Sequence, residues 1–153
     1  MNLRNFLTLT VQNIDFNLVA ERPALLENLR KLTLNANSGM NYELNWMLNE
    51  VKYRKINCQV LLAYRFKDLI GWALLSKESS NFYFPMSYGF NSTDGWLFEV
   101  YVEPKSRKRG IASELYKTAR SFIKEETLCV CPWDDQSERF YNKVASNEET
   151  KWI

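Results

Sequence analysis

Histidine is absent from the 153-residue chain. Without it, Ser-His-Asp and Cys-His nucleophile systems, HExxH zinc sites and His-containing zinc fingers cannot be assembled. Cysteine is scarce: Cys58, Cys129 and Cys131 make three. That is too few for a four-Cys site and odd for a disulfide framework, so a reduced, cytoplasmic setting without metal is expected. No apolar run approaches the roughly 18 residues of a membrane span. The opening MNLRNFLTLTVQNID lacks the apolar core of a signal peptide, so a chain neither exported nor membrane-bound is expected. Neither sign of charge is in excess: 20 basic against 18 acidic residues leave +2. This is too near balance to imply a polyanion, and nucleic acid is not the expected partner. Repeats, linkers rich in Pro, Gly or Ser, and compositional shifts are also missing.

What is present suits one soluble globule spanning residues 1–153. The residues are 46% hydrophobic and 25% charged, and a chain of this length buries roughly 70% of its unfolded surface. Phe6 to Val11 (FLTLTV) alternates as a first strand. Pro23 can open a helix carrying Leu25, Leu26, Leu29 and Leu32 at helical spacing. A second amphipathic helix fits Met40, Leu44, Met47, Leu48 and Val51, with Glu43 and Glu50 on it. Gln59 to Phe66 and Leu69 to Leu75 are strand formers around a Lys67-Asp68 turn, a hairpin. Residues 77 to 95 form a long connection with five aromatics, either a functional loop or a surface loop pinned by its rings.

Trp96 to Glu103 (WLFEVYVE) is the clearest strand, and Pro104 stops it. A helix follows from about Gly110 to Glu126, then a short buried strand at Leu128 to Cys131. The last helix starts at Asp134 or Asp135, since Asp135 and Glu138 make a capping-box pattern. Phe140, Tyr141, Val144 and Ala145 line one of its faces. The residues after Ala145 leave room for one more strand. Cys129 and Cys131 share a strand face and are expected to be buried core thiols.

The stretch from Val100 to Ala112 carries the chemistry: a strand, a basic loop and a helix start. Lys105, Arg107, Lys108 and Arg109 place four cations in five residues. Unpaired amides and the positive dipole end at a helix start favour an anion. Small residues at Gly110 and Ala112 let a phosphate approach the backbone. The segment is not a P-loop, lacking Gly-Lys-Ser/Thr, and lacks the three-glycine dinucleotide fingerprint.

With these residues in place, the chain resembles the GNAT-type N-acetyltransferases. Their signature, Gln/Arg-x-x-Gly-x-Gly/Ala after a strand ending near Val-x-Pro, is similar to Arg107-Lys108-Arg109-Gly110-Ile111-Ala112 after Val102-Glu103-Pro104. Ser137 to Val144 (SERFYNKV) resembles the family's second motif, and Ile70-Gly71-Trp72-Ala73 looks like its central strands. The resemblance covers roughly residues 58 to 146. It implies an α/β fold with a mixed, mostly antiparallel central sheet flanked by helices, here with a shortened C-terminal end.

It further implies acetyl-CoA as acyl-donor cosubstrate. The pyrophosphate would be held by the amides of Arg107, Lys108, Arg109, Gly110, Ile111 and Ala112. The pantetheine would pair with Val100, Tyr101 and Val102 like an added strand. Tyr141 stands at the family's general-acid position. Glu99 is the candidate base, directly or through water, with a structural or solvated role as the other reading. Where many members carry an Asn for the pantetheine, this chain has Asp134. The acceptor implied is an amine of a small molecule or protein, attacking directly in a ternary complex. The acceptor side is expected to be open, or completed by a partner chain as in a homodimer. The competing reading is a non-catalytic module of the same fold that binds CoA or a protein.

Overall fold

The computed structural model describes residues 9–34, 58–76, 95–123, 128–130, 135–145 and 150–152. Strand β1 (Leu9–Asp15) leads into a short helix α1 (Phe16–Ala20) and then α2 (Pro23–Leu34). Strands β2 (Gln59–Arg65), β3 (Asp68–Ser76) and β4 (Gly95–Val102) follow. A 3-10 turn (Pro104–Ser106) precedes α3 (Ile111–Phe122), β5 (Leu128–Val130), α4 (Asp135–Val144) and β6 (Thr150–Trp152). The six strands lie in sequence order. β1 to β4 pair antiparallel, while β4–β5 and β5–β6 pair parallel. The change of sense follows the connections: parallel neighbours need a crossover, and α3 and α4 supply one each.

β2 and β3 read as unbroken apolar runs because helices cover the sheet on both faces. Val60, Leu62, Trp72, Leu74 and Tyr101 bury with Phe16 and Val19 of α1 and Leu29 of α2. Leu61, Ala63, Ala73, Leu75 and Val102 bury on the other face with Ile111, Leu115 and Ala119 of α3 and Tyr141 of α4. β1 instead alternates over its first half, with Leu9 and Val11 half-buried and Thr10 and Gln12 exposed, as suits an edge strand with one wet side.

The hairpin turn falls one residue earlier than expected, at Phe66-Lys67, because Asp68 already pairs with Arg65 in the ladder. Phe66 takes a φ of 56° there. The first strand runs on to Asp15, whose carboxylate accepts from the Asn17 amide at 2.8 Å and so starts α1, an unexpected helix. α2 begins at Pro23 as expected. The helix expected around 40–51 and the connection at 77–94 lie outside the described residues, as does Cys131. α3 closes at Phe122, earlier than expected, with the Ile123 amide bonded to the Ala119 carbonyl at 3.1 Å.

Cys58 at the head of β2 is fully buried, and its Sγ–H donates to the Leu75 carbonyl at 3.3 Å. Burial, then the charge of Asp15, pushes its thiol well above the ordinary 9.0. The folded chain thus holds a proton that the unfolded chain releases above that value. Its contribution is fully present below pH 9 and fades as pH rises, by at most about 1.4 kcal/mol per pH unit. Denaturant unfolding between pH 8 and 10 should show the stability gap between the native protein and Cys58→Ala narrowing. A constant gap would mean that Cys58 titrates alike in both states.

Candidate functional site

The site begins with an irregularity in β4. In its ladder with β3, Leu74 faces Glu99 but Leu75 faces Leu97, so Phe98 is an extra residue, a β-bulge. On the other edge, β5 pairs with β4 only over Gly95, Trp96 and Leu97. Past the bulge, from Glu99 to Val102, that edge of β4 has no strand partner among the described residues. The strands run together up to the bulge, and beyond it no described strand covers the peptide groups of β4, which are of the kind that capture an extended ligand.

At the far end of this edge, a latch fixes the basic loop. The Glu103 amide donates to the Ile70 carbonyl at 2.8 Å, holding the chain to β3 past the end of β4. Pro104 then forces the turn. Ser106 is buried, and its hydroxyl donates to Glu103 Oε1 at 2.7 Å. Arg107 folds back: its Nε donates to the Val102 carbonyl at 2.8 Å, and its guanidinium lies 5.5 Å from the Tyr101 ring centroid. Burial raises the Tyr101 hydroxyl pKa, while the positive charge of Arg107 works the other way.

The loop turns by alternating hand. φ is 62° at Lys108 and 80° at Gly110, but not positive at Arg109 between them. Such alternation builds anion-binding concavities from successive amides. A lysine in the left-handed region costs about 1–2 kcal/mol, and strain of this kind gathers at functional sites. Gly110 is the N-cap of α3 and offers no side-chain cap bond. The first amides of α3 therefore stay available, while Ile111 and Leu115 anchor the helix in the core.

Tyr141 is 3% exposed. Its ring centroid lies 5.2 Å from Phe140 and 6.5 Å from Tyr116 of α3. The same cluster holds Ile111 and Val102, with Val100 and Ala112 packed against it. The structure thus gathers Tyr141, alternate residues of β4 and the start of α3 on one face. Tyr101 lies on the opposite face, under α1 and α2. At Tyr101 this face of β4 meets covering helices. Lys108 and Arg109 are exposed. The backbone of Glu99 is in the ladder, but its side chain and the whole of Asp134 lie outside the description.

Two features had no clear sequence signal: the bulge at Phe98 and the left-handed Lys108. The Ser106–Glu103 latch had one, a hydroxyl residue three positions after an acid across a proline. Among the described residues, no group of three His, Cys, Asp or Glu side chains converges as metal ligands would. No described helix is long and apolar enough to cross a membrane.

Residues 26–145 match the Acetyltransferase (GNAT) family. No curated protein matches the chain significantly. Among solved structures, an aminoglycoside N-acetyltransferase, AAC(6')-Iy, in complex with CoA superposes at a TM-score of 0.61 and 15% identity, covering 95% of this chain and 91% of that one. The ribosomal-protein-alanine N-acetyltransferase of Brucella melitensis biovar Abortus 2308 gives 0.56 and 14%, covering 89% and 90%. An aminoglycoside acetyltransferase from an uncultured soil metagenomic sample gives 0.57 and 15%, covering 90% and 87%. At such identities the likeness is one of fold.

Proposed function

The chain belongs to the GNAT acetyltransferase family, and from that premise we propose that it is an N-acetyltransferase. It carries acetyl from acetyl-CoA to a primary amine of a small molecule or protein, as one domain over residues 1–153. The observation that carries this reading is the edge of β4 beyond the Phe98 bulge, which no described strand covers, ending at a start of α3 without a side-chain cap. These residues fit the cosubstrate. A pantetheine arm carries amides that pair with strand peptides, and a pyrophosphate takes the amides of the loop from Lys108 to Ala112, since that of Arg107 donates to the Pro104 carbonyl at 3.3 Å. Arg107 serves as the clamp that holds this loop on β4, and Lys108 and Arg109 supply exposed positive charge.

In the reaction the neutral amine nitrogen attacks the thioester carbonyl carbon. A β4 amide donates to the developing oxyanion, a contribution typically of about 3 kcal/mol. The C–S bond then breaks, and the departing sulfur takes a proton from the Tyr141 hydroxyl. A phenol near pKa 10 stays protonated at neutral pH and matches a thiol leaving group of about 8.5. The surplus proton of the amine passes to Glu99 or to water. Solvent then reprotonates Tyr141, leaving an amide and free CoA. A second reading, a GNAT-fold module that binds CoA without turnover, is favoured by the burial of Tyr141 among aromatic rings.

Calorimetric titration with acetyl-CoA tests the site. Gly110→Asp forces a side chain into the left-handed region and adds a carboxylate where phosphate should sit. A loss of at least about 100-fold in affinity, or roughly 2.7 kcal/mol, is expected. Equal binding by both proteins would remove the loop from the site. A screen of aminoglycosides and peptides with N-terminal alanine, read as free CoA released, then separates enzyme from binding module.

A further inference from the structure

A second basic site lies on the other side of the sheet end. A cleft of about 770 Å³ opens between α2, the β2–β3 turn and the 3-10 turn. This is within the roughly 300–1,000 Å³ of small-molecule sites. Lys31 of α2, Arg65 and Lys67 of the hairpin, and Lys105 and Arg109 of the basic loop line it. Only two carboxylates, Asp68 and Glu103, share the lining, and Glu103 already accepts from Ser106. None of the five cations makes an ion pair or side-chain hydrogen bond among the described residues. The Nε–H of Arg65 is moreover buried with no acceptor. Like charges gathered in a concave wall repel one another and focus a positive potential, which an anion relieves. Arg65 adds a planar fork suited to phosphoryl oxygens.

The β2–β3 turn, whose Arg65 and Lys67 line the cleft, carries a second feature. Phe66, between two of these cations, is 75% exposed and has a φ of 56°. A two-residue turn with positive φ normally takes glycine or asparagine there. A bulky ring held outward at a strained position is a platform on which a nucleobase can stack, worth about 1–3 kcal/mol per base.

We propose that this cleft is a nucleotide-binding site, its cations taking a phosphoryl group and Phe66 the base. It adjoins the α3 start, sharing Lys105 and Arg109 of the basic loop, but its far wall is α2, which covers the opposite face of the sheet. Two sources share the chemistry: the 3′-phosphoadenosine end of CoA and a separate free nucleotide.

The test titrates adenosine 3′,5′-bisphosphate and inorganic pyrophosphate into the full chain carrying Gly110→Asp, which silences the α3 start. Adding Lys31→Gln and Arg65→Gln together should weaken both probes at least tenfold. Adding Phe66→Ala should weaken the bisphosphate several-fold and leave pyrophosphate unchanged. Arg65→Lys, which keeps the charge, controls for folding and should lose less than Arg65→Gln. Bisphosphate affinity indifferent to the charge pair or to Phe66 overturns the assignment. In chains with native Gly110, CoA is compared with CoA lacking the 3′-phosphate. If the Lys31→Gln, Arg65→Gln pair abolishes the preference for CoA, the ligand is the cosubstrate's own end; if the preference persists, it is a free nucleotide. Failure of Gly110→Asp to reduce acetyl-CoA binding would count against the acetyltransferase site alone, not against the cleft.

Discussion

Tyr141→Phe should lower turnover by about 10²- to 10⁴-fold, the usual worth of a positioned general acid, with acetyl-CoA affinity nearly unchanged. The substitution deletes one oxygen. Packing of the ring at 5.2 Å from Phe140 and 6.5 Å from Tyr116 survives, because those contacts involve ring faces and edges. The hydroxyl's own contribution to stability is about 1 kcal/mol, enough to lower the melting temperature by a few degrees but not to unfold the chain. Leaving-group chemistry separates a proton donor from a core tyrosine. An acyl donor whose thiol is more acidic needs less protonation as it departs, so the deficit of Tyr141→Phe should shrink with such a donor. A merely structural tyrosine would depress every donor alike, in step with the fall in stability. Undiminished turnover with acetyl-CoA would remove Tyr141 from the reaction.

The elements easiest to read were those whose burial is uniform. The runs at Val60–Ala63 and Ile70–Leu75 are apolar on both faces because helices cover both sides, and they are legible as central strands without any partner in view. The motif from Arg107 to Ala112 was equally plain, since its order of charge, glycine and amphipathic helix has a direct physical reason. The turn is hard to place from sequence because Phe66-Lys67 lacks the usual turn residues, and only the Arg65–Asp68 pairing reveals it. α1 is not legible because Phe16–Ala20 is too short for a helical period to show. Nothing local announces the bulge at Phe98, because it is a property of two strands in register. Arg107 counted as one more loop cation by charge. Geometry gives its guanidinium to Val102 and Tyr101, a structural clamp that the charge pattern alone does not announce.

Gly95→Ala should be strongly destabilising, and it bears on the site through β4. A Cβ at this position would overlap the Ile123 Cγ2 methyl and lie 3.2 Å from both Cβ and Cδ1 of the same side chain. Ile123 is fully buried and cannot yield cheaply, since its amide also closes α3 on Ala119. Forced overpacking of this kind costs about 1–3 kcal/mol and sometimes more. The strain falls where β4 and β5 first pair, at Gly95 opposite Leu128, so α3 and β4 should be pushed apart at that end. Ile123→Leu removes the methyl branch at Cβ while conserving volume, and alone should cost less than about 1.5 kcal/mol. The double substitution should therefore be more stable than the sum of the singles predicts, with a coupling of at least about 1 kcal/mol by denaturant unfolding. Additive losses would mean that Gly95 is needed for something other than clearance from Ile123. A positive coupling would show that close contact with α3 holds β4 at the end where β5 pairs with it, so that the β4–β5 spacing on the near side of the Phe98 bulge is set by Ile123.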